Sequence, residues 1–304
     1  MTQISTEAVP EGPPRPGGRL RRLLSCIRFD EVAALQGAPL IGASFSIGVL
    51  SADHSLTVAL LIAGNVCLMA HVFVLNDWSG IDGDLRDPNR ARQTFADKGL
   101  ARTDVGYLAG LLLAVSLLLF GLIGTRPLLV AMAIAVLSAL YSAPAAHLKG
   151  APLFNSALHF AGGTVHFLLG YVTFGQIDAR GLVVGCFFGL VFTAGHFTHE
   201  TRDHDADLLN GIRTNAVAFG KTGSFVAGLV LFVAAYGLLA TLAVLGIVPF
   251  VLVFAAALIP AHLFASFQAI RAGLTFGALR RLQQCYRVFF GLIGIVMIVT
   301  VPLS

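Results

Sequence analysis

The sequence predicts an all-α integral membrane protein, a bundle of nine transmembrane helices whose cytoplasmic helical loops cap a central cavity. Of the 304 residues, 56% are hydrophobic and only 12% are charged, and the mean hydropathy is +0.82. A soluble domain of this size carries about twice that share of charged residues. The formal net charge of +4 is scattered over short loops, so it does not indicate binding to nucleic acid.

Nine apolar spans can be read from the hydropathy, and each is predicted to be a helix because no span shows the alternation of a barrel strand. Their approximate limits are 31–50, 55–76, 104–123, 127–146, 153–174, 182–199, 224–244, 247–268 and 287–303. The polar, Pro- and Gly-rich residues 1–18 predict a disordered cytoplasmic tail, and residues 19–304 a single transmembrane domain. The two long loops, 77–103 and 200–223, are expected to act as lids or binding elements.

Lys and Arg residues are distributed unevenly between the two sides of the predicted bundle. Of the 20, eighteen fall in the N-terminal segment or in the loops after the even-numbered spans, whereas Arg126 and Arg180 fall on the other side. The positive-inside rule therefore places the N-terminus and those loops in the cytoplasm. With nine spans the C-terminus is expected outside, and a compact chain of this kind fits a bacterial inner membrane.

Two acidic clusters stand where long apolar spans end. They read Asn76-Asp77-Trp78-Ser79-Gly80-Ile81-Asp82-Gly83-Asp84 and Glu200-Thr201-Arg202-Asp203-His204-Asp205-Ala206-Asp207. Carboxylates placed in this way repel one another and lose hydration, so a cation is needed to offset the cost. Mg²⁺ is the natural candidate, because it prefers oxygen ligands and usually shares them with a phosphate.

The spacing inside each cluster indicates which carboxylates share a helix face. If the helix of the second span continues, Asp77 and Asp84 are seven residues apart and lie on one face. Asp203 and Asp207 are one turn apart, with Asp205 pointing elsewhere. One such cluster alone would be interpreted as solvated acids balancing nearby arginines, but two at equivalent positions favour a site for Mg²⁺ and a diphosphate.

The same residues resemble the motifs of a known family. Asn76-Asp77 with Asp84 resembles the Asn-Asp-x-x-Asp-x-x-x-Asp motif of the UbiA superfamily of intramembrane prenyltransferases. Asp203-x-x-x-Asp207, followed by Gly211-Ile212-Arg213-Thr214 and Phe219-Gly220, is similar to the second motif and its tail. The segment that closes the family's fourth helix resembles Leu140-Tyr141-Ser142-Ala143-Pro144 with Leu148-Lys149. In Arg28-Phe29-Asp30, the arginine is similar to the basic residue that precedes the family's first helix. The similarity covers nearly the whole chain.

The resemblance implies Mg²⁺-dependent transfer of a prenyl group from an allylic diphosphate to an aromatic or other lipophilic acceptor, through a carbocation-like step in a dry cavity. The implied metal ligands are Asp77, Asp84, Asp203 and Asp207. The expected diphosphate-binding residues are Lys149, Arg90, Arg28 and Arg213. Asn76 is expected to orient the carboxylates or bind the diphosphate, and Tyr141 to face the cation.

One position departs from the family pattern. The middle aspartate of the first motif is replaced by Gly80 in this chain. Asp82 would serve as the missing metal ligand if the helix unwinds at Gly80 or Gly83, since glycine permits such a break. Otherwise one metal ion is held more weakly, or this member differs in substrate or reaction. An Asp82→Ala variant with full activity and Mg²⁺ dependence would exclude the first alternative.

Four histidines on the fifth and sixth spans are candidates for proton transfer. His159 and His166 are seven residues apart, and His196 and His199 are three apart. A zinc site is not favoured, because the sequence indicates no third ligand. The histidines are instead expected to line the cavity or to bond to backbone carbonyls. One of the four, or a carboxylate, is expected to accept the proton released when the acceptor is alkylated.

Two other functions are compatible with parts of the pattern. A terpene cyclase of the same superfamily would form a product without any acceptor, and Gly80 keeps this alternative open. A transporter or channel would also carry acids near the membrane. The acids here lie at the predicted cytoplasmic ends of helices rather than midway, which favours the enzyme.

Overall fold

The computed structural model describes residues 18–48, 51–146 and 148–301, and these residues form helices and loops without a strand. The α-helices, in chain order, are α1 (Arg19–Leu24), α2 (Phe29–Ala34), α3 (Gly37–Ser46), α4 (Ser55–Asp84), α5 (Arg102–Ile123), α6 (Thr125–Ser142), α7 (Phe154–Phe174), α8 (Ala179–Leu209), α9 (Asn215–Phe219), α10 (Lys221–Val244), α11 (Ile259–Arg271) and α12 (Phe276–Thr300). Short 3₁₀ segments occupy Ala52–His54, Ala91–Gln93, Leu148–Gly150 and Phe250–Leu258. The predicted all-α class is confirmed, and the tail predicted for 1–18 lies outside the described residues except for Gly18.

Seven helical segments of the described chain are long and apolar enough to cross a membrane. They are Ala52–Asp84, α5, α6, α8, α10, Phe250–Arg271 and α12. The helix α7 has 21 residues, which is also a spanning length, and its polar side chains include Asn155, His159 and His166. The prediction of one continuous helix over 31–50 is wrong. Pro39 is tolerated only in a first helical turn, and the segment is divided into α2 and α3.

The outer surface of the bundle is apolar. On α5, for example, Leu111, Leu118 and Leu122 are all more than 60% exposed. Such a surface would drive aggregation in water, whereas lipid solvates it without cost. The structure therefore agrees with an integral membrane protein.

The helices pack closely where small residues face each other. The helix α7 lies between α3 and α8, α10 packs along the other side of α8, and α12 contacts both α3 and α8. A Cβ atom added at Gly42 or Gly170 would lie 2.1 Å from the Phe167 carbonyl oxygen or 1.7 Å from that of Pro39. Only glycine at both positions allows α3 and α7 to approach this closely.

The loops of the bundle separate into a polar end and an opposite end. At the polar end, Asn210 beyond α8 donates a hydrogen bond of 3.2 Å to the Gly83 carbonyl near the end of α4. At the opposite end, Arg126 donates to the Gly175 carbonyl at 3.2 Å, and Arg180 stands in the first turn of α8. The two basic residues predicted to lie apart from the others are thus at the other end of the bundle.

Candidate functional site

Each acidic cluster lies within a helix, the first in α4 and the second in α8. The helix α4 continues to Asp84 and α8 continues to Leu209, so that all the acids of the two clusters are helical. This confirms the helical spacing assumed for the clusters. It corrects the expected loops, because the connections start at residues 85 and 210 rather than at 77 and 200.

One cavity at the polar end is lined by carboxylates from both helices. Asp84 comes from α4, and Asp203 and Asp207 come from α8. The other side chains and backbone segments around it are Asn76, Ser79, Gly80, Gly83, Asp87, Arg90, Tyr141, Ser142, Lys149, Ala206, Asn210 and Ile212. Two clusters more than 110 residues apart in sequence therefore converge on the same space, as the sequence analysis expected.

Arg90, in the loop after α4, joins the two clusters. Its guanidinium lies 2.5 Å from an Asp203 carboxylate oxygen and 3.6 Å from one of Asp84. It is also 3.7 Å from Asp87, which is itself buried. Burial alone would lower the pKa of Arg90, but the carboxylates of Asp203 and Asp84 raise it above its ordinary value. Arg90 is therefore a permanent positive charge between the two acidic helices.

A second cation approaches from the turn between α6 and α7. Lys149 lies with its Nζ 3.7 Å from an Asp207 carboxylate oxygen. On the facing wall, Asn76 donates a hydrogen bond of 3.2 Å to the Ser142 hydroxyl, which fixes the amide beside the cavity. Tyr141, one residue earlier, also borders this space. Four residues singled out from the motifs thus meet here.

Three other residues from the motifs lie at the margin of the site. Asp77 forms an ion pair with Arg28, and the Arg28 guanidinium also lies 5.5 Å from the centre of the Phe73 ring. Neither Asp77 nor Arg28 is among the residues that line the cavity. Arg213 is exposed on the loop after α8 and is likewise not part of the lining.

The helix does not unwind at either glycine of the first cluster. It continues through Gly80 and Gly83 to its end at Asp84. Asp82 consequently projects away from the cavity, with a side chain 75% exposed and 3.5 Å from Arg102. The structure therefore contradicts the first of the alternatives, in which a break at Gly80 or Gly83 turns Asp82 into the site.

The donor set of the cavity suits Mg²⁺ shared with a phosphate. Within the described residues, no three His, Cys, Asp or Glu side chains are grouped closely enough to hold a metal ion by themselves. Carboxylate oxygens instead stand on two walls, each beside a cation. Mg²⁺ is usually bound by one or two carboxylates plus phosphate oxygens, and Arg and Lys complete the recognition of such an anion. Asp84, Asp203 and Asp207 are the residues that could hold it.

A buried polar layer lies behind the cavity, and the sequence analysis predicted a place on the cavity wall for its histidines but missed Asn155, Asn215 and their contacts with Glu200. Glu200 is 4% exposed and accepts hydrogen bonds from the side-chain amides of Asn155 at 2.6 Å and Asn215 at 2.8 Å. His196, one turn earlier on α8, is also buried and stacks on His159 of α7 with ring centroids 3.7 Å apart. A glutamate at helical spacing after a histidine inside an apolar span was a detectable signal. The two asparagines gave none, because their partners are distant in sequence.

Comparisons with known proteins agree on one family. The model of the UbiA prenyltransferase family matches residues 38–281. A solved digeranylgeranylglyceryl phosphate synthase is similar at a TM-score of 0.68 and 18% identity, with 94% of this chain and 99% of that chain covered. A UbiA homologue from Archaeoglobus fulgidus bound to GPP and Mg²⁺ gives 0.68 and 16%, with 91% and 99% covered. The apo UbiA homologue from Aeropyrum pernix K1 gives 0.69 and 17%, with 89% and 98% covered.

These identities establish a shared fold rather than a shared substrate. No protein of curated function matches the chain in sequence.

Proposed function

Because the chain belongs to the UbiA prenyltransferase family, we propose that it transfers an allylic prenyl group from its diphosphate to a lipophilic, aromatic acceptor in a Mg²⁺-dependent reaction. The family and the prenyl-transferring enzyme class predicted from the motifs are confirmed by the family match. The observation that carries the finer proposal is the convergence of Asp84, Asp203 and Asp207 on one cavity that also contains Arg90 and Lys149.

The carboxylates of this cavity supply the metal site in our proposal. Asp84, Asp203 and Asp207 hold the ion, with Asp77 at the margin. When bound, Mg²⁺ supplies Lewis-acid neutralisation of the charge that develops on the leaving diphosphate. The Mg²⁺ and GPP in the Archaeoglobus fulgidus homologue support this assignment.

The basic residues bind the diphosphate oxygens. Arg90 and Lys149 pair with carboxylates in this structure, so they are already placed to exchange those partners for phosphate when a metal ion takes over the carboxylates. Arg28 and Arg213 lie at the margin, where they would meet the anion as it enters. Tyr141 presents an aromatic ring between the charged end and the apolar interior, where it stabilises allylic cation character.

The arrangement in the membrane follows from the same proposal. Residues 19–304 form one domain with nine crossings, in which α2 and α3 together make the interrupted first and α7 makes the fifth. The polar end faces the cytoplasm, where the water-soluble head of a prenyl diphosphate is accessible. The loops that carry Arg90, Lys149 and Ile212 cap the cavity. The lipophilic acceptor enters from the bilayer.

The decisive experiment is product analysis with the purified protein in lipid nanodiscs. Geranyl diphosphate is incubated with a panel of phenols under Mg²⁺ or with EDTA, and released diphosphate and product mass are measured. We expect Asp84→Asn and Asp207→Asn to lower turnover by at least about 100-fold, as for other groups that stabilise developing charge. Asp205→Asn is the matched control, because Asp205 lies on the same turn of α8 but is 82% exposed.

The products also separate the alternatives. A prenylated phenol that requires Mg²⁺ supports the proposal. A cyclic hydrocarbon or alcohol formed without any phenol would identify a terpene cyclase instead. Absence of diphosphate release with every prenyl diphosphate tested would contradict both enzymes, and the family match gives a transporter no support.

A further inference from the structure

A continuous line of side chains leads from the cavity to a buried carboxylate. Tyr141 borders the cavity, and its ring meets that of His159 edge-on, with centroids 4.9 Å apart and planes at 84°. His159 stacks almost parallel on His196, at 3.7 Å and 10°. The Nε2 atom of His196 lies 3.2 Å from an oxygen of Glu200. Two imidazoles therefore stand between the reaction space and a negative charge.

The hydrogen bond of His159 fixes which of its nitrogens is basic. Its Nδ1 lies 2.9 Å from the backbone carbonyl oxygen of Asn155. A carbonyl can only accept, so Nδ1 carries the hydrogen and Nε2 keeps its lone pair. His159 is half-buried, whereas His196 is buried, so the imidazole nearer the cavity is also the more accessible one.

The buried glutamate is held rigidly by amides. One carboxylate oxygen of Glu200 accepts from the Asn155 side chain, and the other accepts from the Asn215 backbone at 3.1 Å and side chain at 2.8 Å. These donors are neutral, and within the described residues the group within 4 Å that can become cationic is His196. A buried carboxylate so placed stabilises a positive charge on the imidazole pair. Two imidazolium ions 3.7 Å apart would repel each other, so the pair stores a single proton.

Building on the proposed function, we propose that His159 accepts the proton released in prenyl transfer, and that His196 and Glu200 are positioning residues that stabilise its imidazolium form. The allylic C–O bond breaks and its electron pair leaves with the diphosphate. The acceptor carbon supplies the pair for the new C–C bond, and the C–H bond at that carbon then returns its pair to the ring while the proton moves to Nε2 of His159. The imidazolium passes the proton to water when the product leaves.

His166 and the carboxylates of the cavity are engaged elsewhere. His166 is 2% exposed and bonds through Nε2 to the Asn65 side chain at 3.0 Å. The carboxylates of the cavity are assigned to the metal ion. Of the stacked pair, His159 lies nearer the cavity-lining Tyr141 ring, with centroids 4.9 Å apart against 6.2 Å for His196, whose Nε2 faces Glu200.

The test uses full-length His159→Gln and His159→Ala in nanodiscs, with geranyl diphosphate labelled with ¹⁸O at the bridging position and a phenol that the wild type prenylates. We expect product formation to fall about 10²- to 10⁴-fold, the range for loss of a general base. Binding of geranyl diphosphate is expected to be unchanged. In these variants the acceptor keeps its proton, so the allylic cation and the diphosphate recombine. The ¹⁸O label in recovered geranyl diphosphate should therefore move from the bridging position to non-bridging positions. Added imidazole should restore turnover to His159→Ala.

The matched control is His71→Gln. His71 is a buried histidine whose Nδ1 likewise bonds to a backbone carbonyl, that of Ala109 at 2.8 Å, but it lies between α4 and α5. It should retain wild-type turnover and show no added scrambling. Glu200→Gln should lower kcat at unchanged KM, by less than His159→Gln does.

Two outcomes would overturn the inference: wild-type turnover in His159→Gln, or joint loss of substrate binding and turnover without rescue by imidazole. Failure of the proposed function would be seen separately, as a wild-type protein that releases no diphosphate.

Discussion

Gly80 occupies a position on the cavity wall where the motif that this chain resembles carries an aspartate. A Cβ atom added there would meet nothing closer than an Asp84 carboxylate oxygen at 3.9 Å, so the wall has room for a side chain. Asp82 does not fill the gap, because the helix stays intact and turns it toward Arg102. The first cluster therefore brings fewer carboxylates to the cavity than the motif implies, and a bound Mg²⁺ has fewer ligands to share.

At the residue scale we predict that Gly80→Asp lowers the Mg²⁺ concentration needed for half-maximal diphosphate release. The new carboxylate adds an oxygen ligand, and its repulsion with Asp84 one turn away is relieved when the ion binds. The measurement is a Mg²⁺ titration of activity beside the wild type. An unchanged or higher half-maximal concentration would show that position 80 does not contribute to the metal site.

At the scale of elements, the contact between α3 and α7 sets the positions of the polar side chains on α7. Gly42 and Gly170 let the two backbones touch, and α7 then presents Asn155 and His159 toward α8. The hydrogen bond of Asn155 to the Lys149 carbonyl, at 3.0 Å, also ties the lysine turn to the same helix. Packing in the apolar middle of the bundle therefore governs the geometry at its polar end.

We predict that Gly170→Ala lowers the free energy of unfolding by about 3 kcal/mol or more, above the usual range for an overpacked core. The added methyl would lie 1.7 Å from a backbone oxygen of Pro39, so the helices must separate. Gly162→Ala on the same helix is the control. Nothing lies within 4 Å of its added Cβ, and alanine is expected to be neutral or to stabilise by up to about 1 kcal/mol. Denaturant unfolding in detergent measures both, and equal effects would refute the packing argument.

At the scale of the whole molecule, most of the Lys and Arg residues and the proposed site share one end of the bundle. The acidic helix ends, Arg90 and Lys149 meet there, while Arg126 and Arg180 mark the opposite end. Carboxylates that would be costly in lipid are thus gathered where water and cations reach them. The same segregation underlies the proposed orientation.

We predict that Arg126→Cys is labelled by a membrane-impermeant maleimide from outside intact bacterial cells, and that Arg92→Cys is labelled only after lysis. The native thiols Cys26, Cys67, Cys186 and Cys285, all free in the structure, are first replaced by Ala. The physical reason is the excess of Lys and Arg at the polar end, which resists translocation. Labelling of Arg92→Cys in intact cells would reverse the orientation.

Residues with strong local signals were predictable from the sequence. The Asp spacing in each cluster identified Asp84, Asp203 and Asp207 as cavity acids, because a helix repeats its faces every three to four residues. The same spacing also predicted Asp77 there, whereas Asp77 lies at the margin with Arg28. The apolar spans located most of the helices. The break between α2 and α3, the outward direction of Asp82 and the marginal places of Arg28 and Arg213 were not predictable, because they depend on which neighbour each helix face meets.

Composition and periodicity alone determined that this chain is a helical membrane protein with two acidic helix ends on one side, since hydropathy and helical repeat are properties of short segments. The tertiary structure decided that Arg90 bridges the two acidic helices and that His159, His196 and Glu200 form a line behind Tyr141. Those contacts join residues far apart in the chain. They depend on how the helices are rotated against one another, and close packing at Gly42, Gly170, Gly163 and Gly189 fixes that rotation for α3, α7 and α8.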